Sequence, residues 1–363
     1  MRAPTLGAQS LWRDEVDAIR FSSWPLKQLL EGLFLDGHNG PLFFLFLRGW
    51  RTLMGDSEFS LRYPSLFFGV LIVGLGASLA RQLQLGRRAE ILIALLLATS
   101  PYLIWYSQEA KMYTMLLVFV TLAFVAYLKA LHSTHSSGIW WIVFVVATSL
   151  SFYTHILSPL MLFVYGFVAL LYRFEWQQHW RGWFISMACL SLPYIPLAWW
   201  QLPLLFKDFT SGHPFYSFQD QFSLLLQLYS SGLIPLVEVI PILAFVFLLL
   251  SGIFLGVPSR LANGSKTGQY SYKKRAALIT WVLLPPLIVY LVSLRVPVFE
   301  DRYMIYITPP FYLVGVLGLI LIRQHQRWVA SFCLGLILMV NVVGIWQQQR
   351  RPIKADFRGA AAK

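Results

Sequence analysis

Charged residues are scarce in this sequence, and those with chemical potential cluster. Asp14 and Glu15 stand side by side in SLWRDEVDAIRF (10–21), with Arg13, Asp17 and Arg20 around them. Gln108, Glu109, Lys111 and Tyr113 fall together in SPYLIWYSQEAKMY (100–113). Glu300, Asp301, Arg302 and Tyr303 form a third group, Lys207, Asp208 and His213 a fourth, and Asp36, His38, Arg62 and His155 lie singly beside apolar runs. A carboxylate held at a reacting centre takes a proton from a hydroxyl nucleophile. Arg and Lys meet charge that develops on an oxygen anion. Each group also has a plainer reading. Asp14 and Glu15 fit solvated charges at an interface, and Glu109 with Lys111 fits a helix-start acid and a snorkelling base. His155 fits a packing histidine, and Arg302 with Tyr303 a headgroup anchor. His132 and His135, in HSTHSSG, read as loop.

The elements that must position these groups follow from composition. Of 363 residues, 57% are hydrophobic and 12% charged, against about 25% charged in an average soluble domain. So little polar surface points to the membrane as solvent. The net charge of +13 sits mostly in short loops between apolar runs. That pattern fits topology signals and lipid headgroup contacts, and no nucleic-acid partner is expected. Cys189 and Cys333 fall inside apolar runs and read as packing residues, with neither zinc spacing nor a disulfide framework. The first ten residues lack the apolar core of a cleavable signal peptide.

A span needs roughly 17–25 apolar residues, and about ten runs meet that criterion, near 60–81, 89–106, 110–131, 139–155, 157–173, 182–203, 234–256, 277–295, 304–322 and 328–347. Gly69, Gly74 and Gly76 in the first run predict close helix packing. Before residue 60, Leu26, Leu29, Leu30, Leu33 and Phe34 mark one face of a helix over 24–35, with Ser22 and Ser23 as caps and Pro25 in its first turn. Such a helix lies in the interface, as does the segment 41–54, marked by Arg48, Trp50 and Arg51.

Loops at 81–88, 129–137, 173–181, 260–275 and 323–327 alternate with the others and hold most of the loop Lys and Arg, so they are assigned to the cytoplasm. Asn263, in NGS, falls on that side and is discounted as a glycan acceptor. The opposite set collects the four clusters above, while span centres are nearly free of charge. A face of that kind can react a water-side substrate with a lipid-borne one. A transporter or flippase of the lipid-borne substrate is the alternative. It would place charges at midplane breaks, and the breaks offered by Pro193 with Pro196 and Pro285 with Pro286 carry none.

The motif order LWRDE, HNGPLFFLFLRGW, SLRYPSLFFGVL, SPYLIWYSQEAKMY and DRYMIYITPPFYL resembles bacterial integral-membrane glycosyltransferases of the GT-C fold, relatives of protein O-mannosyltransferases and of the aminoarabinose transferase that modifies lipid A. The resemblance implies an all-α polytopic membrane protein, a bundle of about ten transmembrane helices with interfacial helices in the first outer loop. Residues 1–347 would be the transmembrane domain, with 1–59 its outer catalytic loop, and 348–363 the start of a C-terminal outer part. It implies an inner-membrane enzyme whose site faces outward, and transfer of a sugar from a polyprenyl-phosphate donor to a lipid, glycan or protein acceptor that the sequence does not identify. Membrane lipids are its other partners.

On this resemblance Asp14 is the base, Glu15 its orienting neighbour and Glu109 the second motif's acid. His38, Arg62, Gln108, Lys111, Tyr113, His155, Arg302 and Tyr303 bind substrate, with Arg62, Lys111 and Arg302 as candidate partners of the phosphate. One base and direct displacement imply inversion at the sugar. No cofactor is expected to be required. A divalent cation would need His38, His155 and Glu109 to meet, and their spacing gives no support for it. The sequence departs from the family in HNGPL for His-Pro-Pro and in Lys111 for Arg. It also has no apolar helix before Asp14 and stops at ADFRGAAAK. These departures predict a missing first helix and a truncated end, or a shortened, inactive paralogue.

Overall fold

A computed structural model describes residues 3, 5–31, 39–133, 137–195, 212–233, 239–255 and 272–350. Among them every regular element is helical. His38, Asp36, Lys207, Asp208, Asn263 and His135 lie outside the described residues.

The stretch around Asp14 and Glu15, expected as loop, is a helix, α1 (Arg13–Ser22). Its two leading carboxylates lie in the first turn, where the N-terminal partial positive charge favours them. Glu15 also accepts the Trp12 N–H at 3.3 Å. Ser22 and Ser23, expected to cap the next helix, instead donate to the Ile19 carbonyl at the end of α1. There α2 (Leu26–Glu31) and α3 (Leu42–Met54) follow. Arg51 of α3 donates to Ile19 O and to both serine hydroxyls at 2.7–3.1 Å. The carbonyl end of α1, where Ser23 N–H already donates to Ile19 O at 3.1 Å, is therefore also tied down from α3.

The first long helix, α4 (Glu58–Gln82), begins at Ser57, whose hydroxyl accepts the Ser60 N–H. Pro64 cannot donate to the Ser60 carbonyl four residues earlier. Trp50 of α3 takes that carbonyl through its indole N–H at 2.9 Å, and its ring stacks on Tyr63 at 5.4 Å. A vacancy in the helix ladder thus docks the interfacial segment onto the bundle.

The next apolar run is broken. In place of one span over 89–106, α5 (Arg87–Thr99) and α6 (Pro101–Ser107) meet at a 58° bend. Proline disfavours helical geometry in the residue before it and suits a first helical position. Accordingly Ser100 is extended and caps Leu103 N–H, and its hydroxyl is held by Tyr312 at 2.8 Å. The bend turns α6 so that it ends at the Gln108–Lys111 turn.

The chain continues through α7 (Tyr113–His132), α8 (Ser137–Phe152), α9 (Met161–Leu171), α10 (Arg173–Gln178), α11 (Trp180–Ser191), α12 (Phe218–Ser231), α13 (Val239–Phe254) and α14 (Tyr272–Ser293). A 3-10 turn, Asp301–Ile307, feeds α15 (Thr308–His325), and α16 (Arg327–Arg350) follows. Among the described residues five helices are long and apolar enough to cross a membrane, or six if the bent pair is one span. The shorter apolar helices Ser137–Phe152, Ser158–Leu171 and Val239–Phe254 account for three more of the expected runs. Helix α14 runs unbroken through Pro285 and Pro286.

Helix α15 is apolar all round and buried along its length, the pattern of a central helix. Its crossing with α13 depends on two glycines: a Cβ at Gly318 would meet Leu248 O at 1.9 Å, and one at Gly252 would meet Val314 O at 2.2 Å. Small residues permit such backbone contact. In α4, Gly76 packs against Leu97, whereas among the described residues nothing lies within 4 Å of a Cβ placed at Gly74.

Candidate active site

The two adjacent carboxylates of α1 have opposite surroundings. Glu15 is fully buried and forms a bidentate pair with Arg62 of α4, Oε1 to Nε at 2.7 Å and Oε2 to Nη2 at 2.8 Å. It also accepts the Ala110 N–H at 3.0 Å. Arg62 donates its other N–H groups to the carbonyls of Leu6, Gln9 and Ser10 at 2.7–3.1 Å. All five guanidinium donors are therefore used within the protein. Sequence reading offered Arg62 to a phosphate, but it has no N–H left to give. It clamps the 6–15 segment and the 108–111 turn onto α4.

Asp14, one helical step of about 100° away, points to the other side and is 28% exposed in its side chain. Its Oδ2 accepts from Arg302 Nη1 at 2.9 Å. Arg302 also lies 3.8 Å from Glu300, which His213 approaches at 3.0 Å. The 300–303 turn that carries these groups is anchored beside α6. Tyr106 donates to Asp301 Oδ2 at 2.9 Å, and Tyr102, one turn earlier, to Asp301 O at 3.0 Å. Sequence reasoning missed this tyrosine pair. Their i, i+4 spacing was visible, but their partner lies 195 residues onward from Tyr106.

Glu109 and Lys111 are buried in the turn between α6 and α7. Ser65 donates to Lys111 O at 2.8 Å and Thr114 to Ser65 O at 2.9 Å, fixing the turn on α4. Burial pushes the Lys111 ammonium below its ordinary value, opposed by the carboxylates of Asp14, Asp17 and Glu109 and reinforced by Arg302. Gln108 donates to Thr5 Oγ1 at 3.0 Å. Tyr113 is buried against Tyr106, with ring centroids 5.3 Å apart.

His155 is fully buried in the turn after α8, its ring 4.7 Å from that of Tyr303. The HNGPL departure is explained here. Asn39 Oδ1 accepts Ile156 N–H at 3.5 Å, and Leu42 N–H donates to Tyr153 O at 3.0 Å. A Cβ at Gly40 would stand 2.0 Å from Tyr153 O, so only glycine admits this approach. His38 lies just before the described part of this segment.

One cluster thus joins α1, the 108–111 turn, the 153–158 turn, His213 and the 300–303 turn. Its charged groups are Asp14, Glu109, Lys111, Glu300 and Arg302, a mixture able to take a proton and bind an anion. Among the described residues no three His, Cys, Asp or Glu side chains converge as a metal site. Nearby, α12, α13, α14 and the start of α15 enclose a cavity of about 260 Å³ with wholly apolar walls. They include Leu226, Tyr229, Ile253, Ile279, Ile307 and Phe311. Ile307 closes the 3-10 turn that opens with Asp301 and Arg302.

Residues 38–200 match a family model described as dolichyl-phosphate-mannose-protein mannosyltransferase. The fold is similar to that of ArnT from Cupriavidus metallidurans bound to undecaprenyl phosphate, at a TM-score of 0.61 and 14% identity, over 92% of this chain. The apo form of that protein matches with a TM-score of 0.58 at 15% identity, over 91% of this chain and 59% of its own. The chain has the GT-C fold. The Archaeoglobus fulgidus oligosaccharyltransferase, in complex with Zn and sulfate, shares this GT-C architecture more distantly, with a TM-score of 0.55 and 11% identity over 100% of this chain and 52% of that one. No curated protein matches in sequence. The chain spans 61% of the length of the undecaprenyl-phosphate-bound ArnT. The all-α membrane class and the GT-C family resemblance read from the motifs agree with these matches.

Proposed function

We propose that this chain is a glycosyltransferase that moves a sugar from a polyprenyl-phosphate donor to a hydroxyl acceptor. The observation that carries the reading is the partly exposed Asp14–Arg302 pair, set directly against the sealed Glu15–Arg62 pair. It presents one carboxylate and one guanidinium to the same space. The lipid phosphate bound by ArnT and the mannosyltransferase family match support the donor class.

In this reading the donor phosphate lies against Arg302 and Lys111, and its prenyl chain follows the apolar cavity below Ile307. As the phosphate draws Arg302 away, the Asp14 carboxylate that accepted its N–H is left facing the acceptor hydroxyl. Asp14 takes the acceptor hydroxyl proton while the oxygen attacks the anomeric carbon. The bond to the phosphate oxygen breaks with its electron pair, and Arg302 and Lys111 meet the charge on the departing lipid phosphate. A single displacement inverts the anomeric centre. Glu15 and Arg62 position α1, and Glu109 supports Lys111. The alternation of basic loops supports an inner-membrane protein with this cluster on the outer face.

Membranes carrying the full chain test the reading when given a radiolabelled polyprenyl-phosphate sugar. Transfer to membrane or added acceptors is expected from wild type and lost in Asp14→Asn. Equal transfer by both overturns the role of Asp14, and no transfer across pentosyl and hexosyl donors overturns the activity.

A further inference from the structure

The protonation of His155 is dictated by its own backbone turn. Its Nδ1 faces the Leu157 N–H at 3.1 Å. A ring nitrogen that accepts this bond carries no proton, so the neutral imidazole holds its hydrogen on Nε2. The turn leaves the ring little freedom. His155 N–H donates to Ser151 O at 3.0 Å, the Ser158 hydroxyl donates to His155 O at 2.8 Å, and Tyr303 covers one side of the ring. The residue is fully buried, yet among the described residues Nε2 has no hydrogen-bond partner. Buried polar groups are nearly always satisfied, and one that is not points to a group that completes it. Burial, and then the charge of Arg302, push the imidazole down to about 3, so it stays neutral at physiological pH.

We infer that His155 is an uncharged N–H donor to a phosphate oxygen of the lipid-linked donor, and neither a base nor a metal ligand. The inference rests on the donor class proposed above. The chemistry of the location selects phosphate over a sugar hydroxyl. Arg302 and Tyr303, beside the ring, both offer hydrogens, and a phosphate offers only acceptors to satisfy them. A base would need a bare nitrogen facing the substrate. The bare nitrogen here faces the chain. A metal would need Nε2 without its hydrogen, which the Leu157 bond forbids.

The experiment separates the two ring nitrogens. In His155→Asn the amide oxygen stands near the place of Nδ1, keeping the turn's acceptor and losing the donor. In His155→Gln the amide N–H reaches toward the place of Nε2, keeping the donor and losing the acceptor. Full-length protein in detergent is titrated with undecaprenyl phosphate, and binding is read by native mass spectrometry alongside thermal unfolding. Binding is expected to weaken at least tenfold in His155→Asn with little change in Tm. In His155→Gln it should stay within about threefold of wild type despite a lower Tm. Equal binding by wild type and His155→Asn overturns the inference while leaving the donor class intact. Loss of binding in His155→Gln at an unchanged Tm, or a dependence of wild-type binding on chelator, also overturns it. Failure of wild type to bind undecaprenyl phosphate overturns both.

Discussion

Asp14 and Arg302 stand 288 positions apart in the sequence and 2.9 Å apart in the fold. Their contact closes the cluster, because it ties the first short helix to the turn that begins the most buried helix of the bundle. The pair keeps about a quarter of each side chain open, 28% and 21%. The neighbouring Glu15–Arg62 pair keeps none. One pair is therefore available to a ligand, and the other is structural.

Substitutions in the open pair should act oppositely on binding and on transfer. Asp14→Asn frees Arg302, so lipid-phosphate binding is retained or tightened, while transfer falls by about 10²–10⁴-fold, the usual share of a general base. Arg302→Met weakens both. Titration with undecaprenyl phosphate and a single-turnover transfer assay measure the two effects separately.

The sealed pair should behave as a stability element. Arg62→Met strands a buried carboxylate and is expected to cost about 3–5 kcal/mol. Removing both charges together in Glu15→Leu/Arg62→Met recovers a large part of that cost. Thermal unfolding of the purified single and double variants decides it, and additive losses would contradict the pairing.

Gly40→Ala forces a methyl into the Tyr153 carbonyl. The 39–42 segment must then leave the 153–156 turn, lowering Tm and weakening donor binding. Gly49→Ala, where no described residue lies within 4 Å of the added methyl, is the matched control. Glycine costs a helix about 1 kcal/mol relative to alanine, so that control should be neutral or slightly stabilised.

Acid should loosen the fold through His155. Its folded value, about 3, lies below the ordinary 6.5. A depressed folded value contributes stability above the unfolded pKa, and that contribution is lost as pH falls toward the folded one. From about pH 7 to about pH 5 the wild type should lose about 2 kcal/mol that His155→Asn does not lose. Denaturant unfolding of both proteins at the two pH values measures the difference.

Much of the architecture was legible in composition and run length. Transfer from water to lipid is a sum over local residues, so 57% apolar content with few charges determines the class and the approximate spans. Helix α1 was not legible. Five charges in ten residues obscure its apolar face, and the helix is held by Arg51 and Arg62 from other segments. The break before Pro101 was hidden for the opposite reason, since apolar content continues across it while Ser100 and Tyr312 fix the bend.

By itself the sequence determined an oily helical chain with its polar chemistry gathered at the ends of its runs, and motifs that resemble one family. Only the tertiary structure decided which of two adjacent carboxylates is open and which arginine is spent. It also decided which histidine nitrogen carries the hydrogen. Neighbours on a helix point about 100° apart, so Asp14 and Glu15 share a local sequence but not an environment. Those environments are built by partners between 47 and 288 residues away, a distance over which no local pattern carries information.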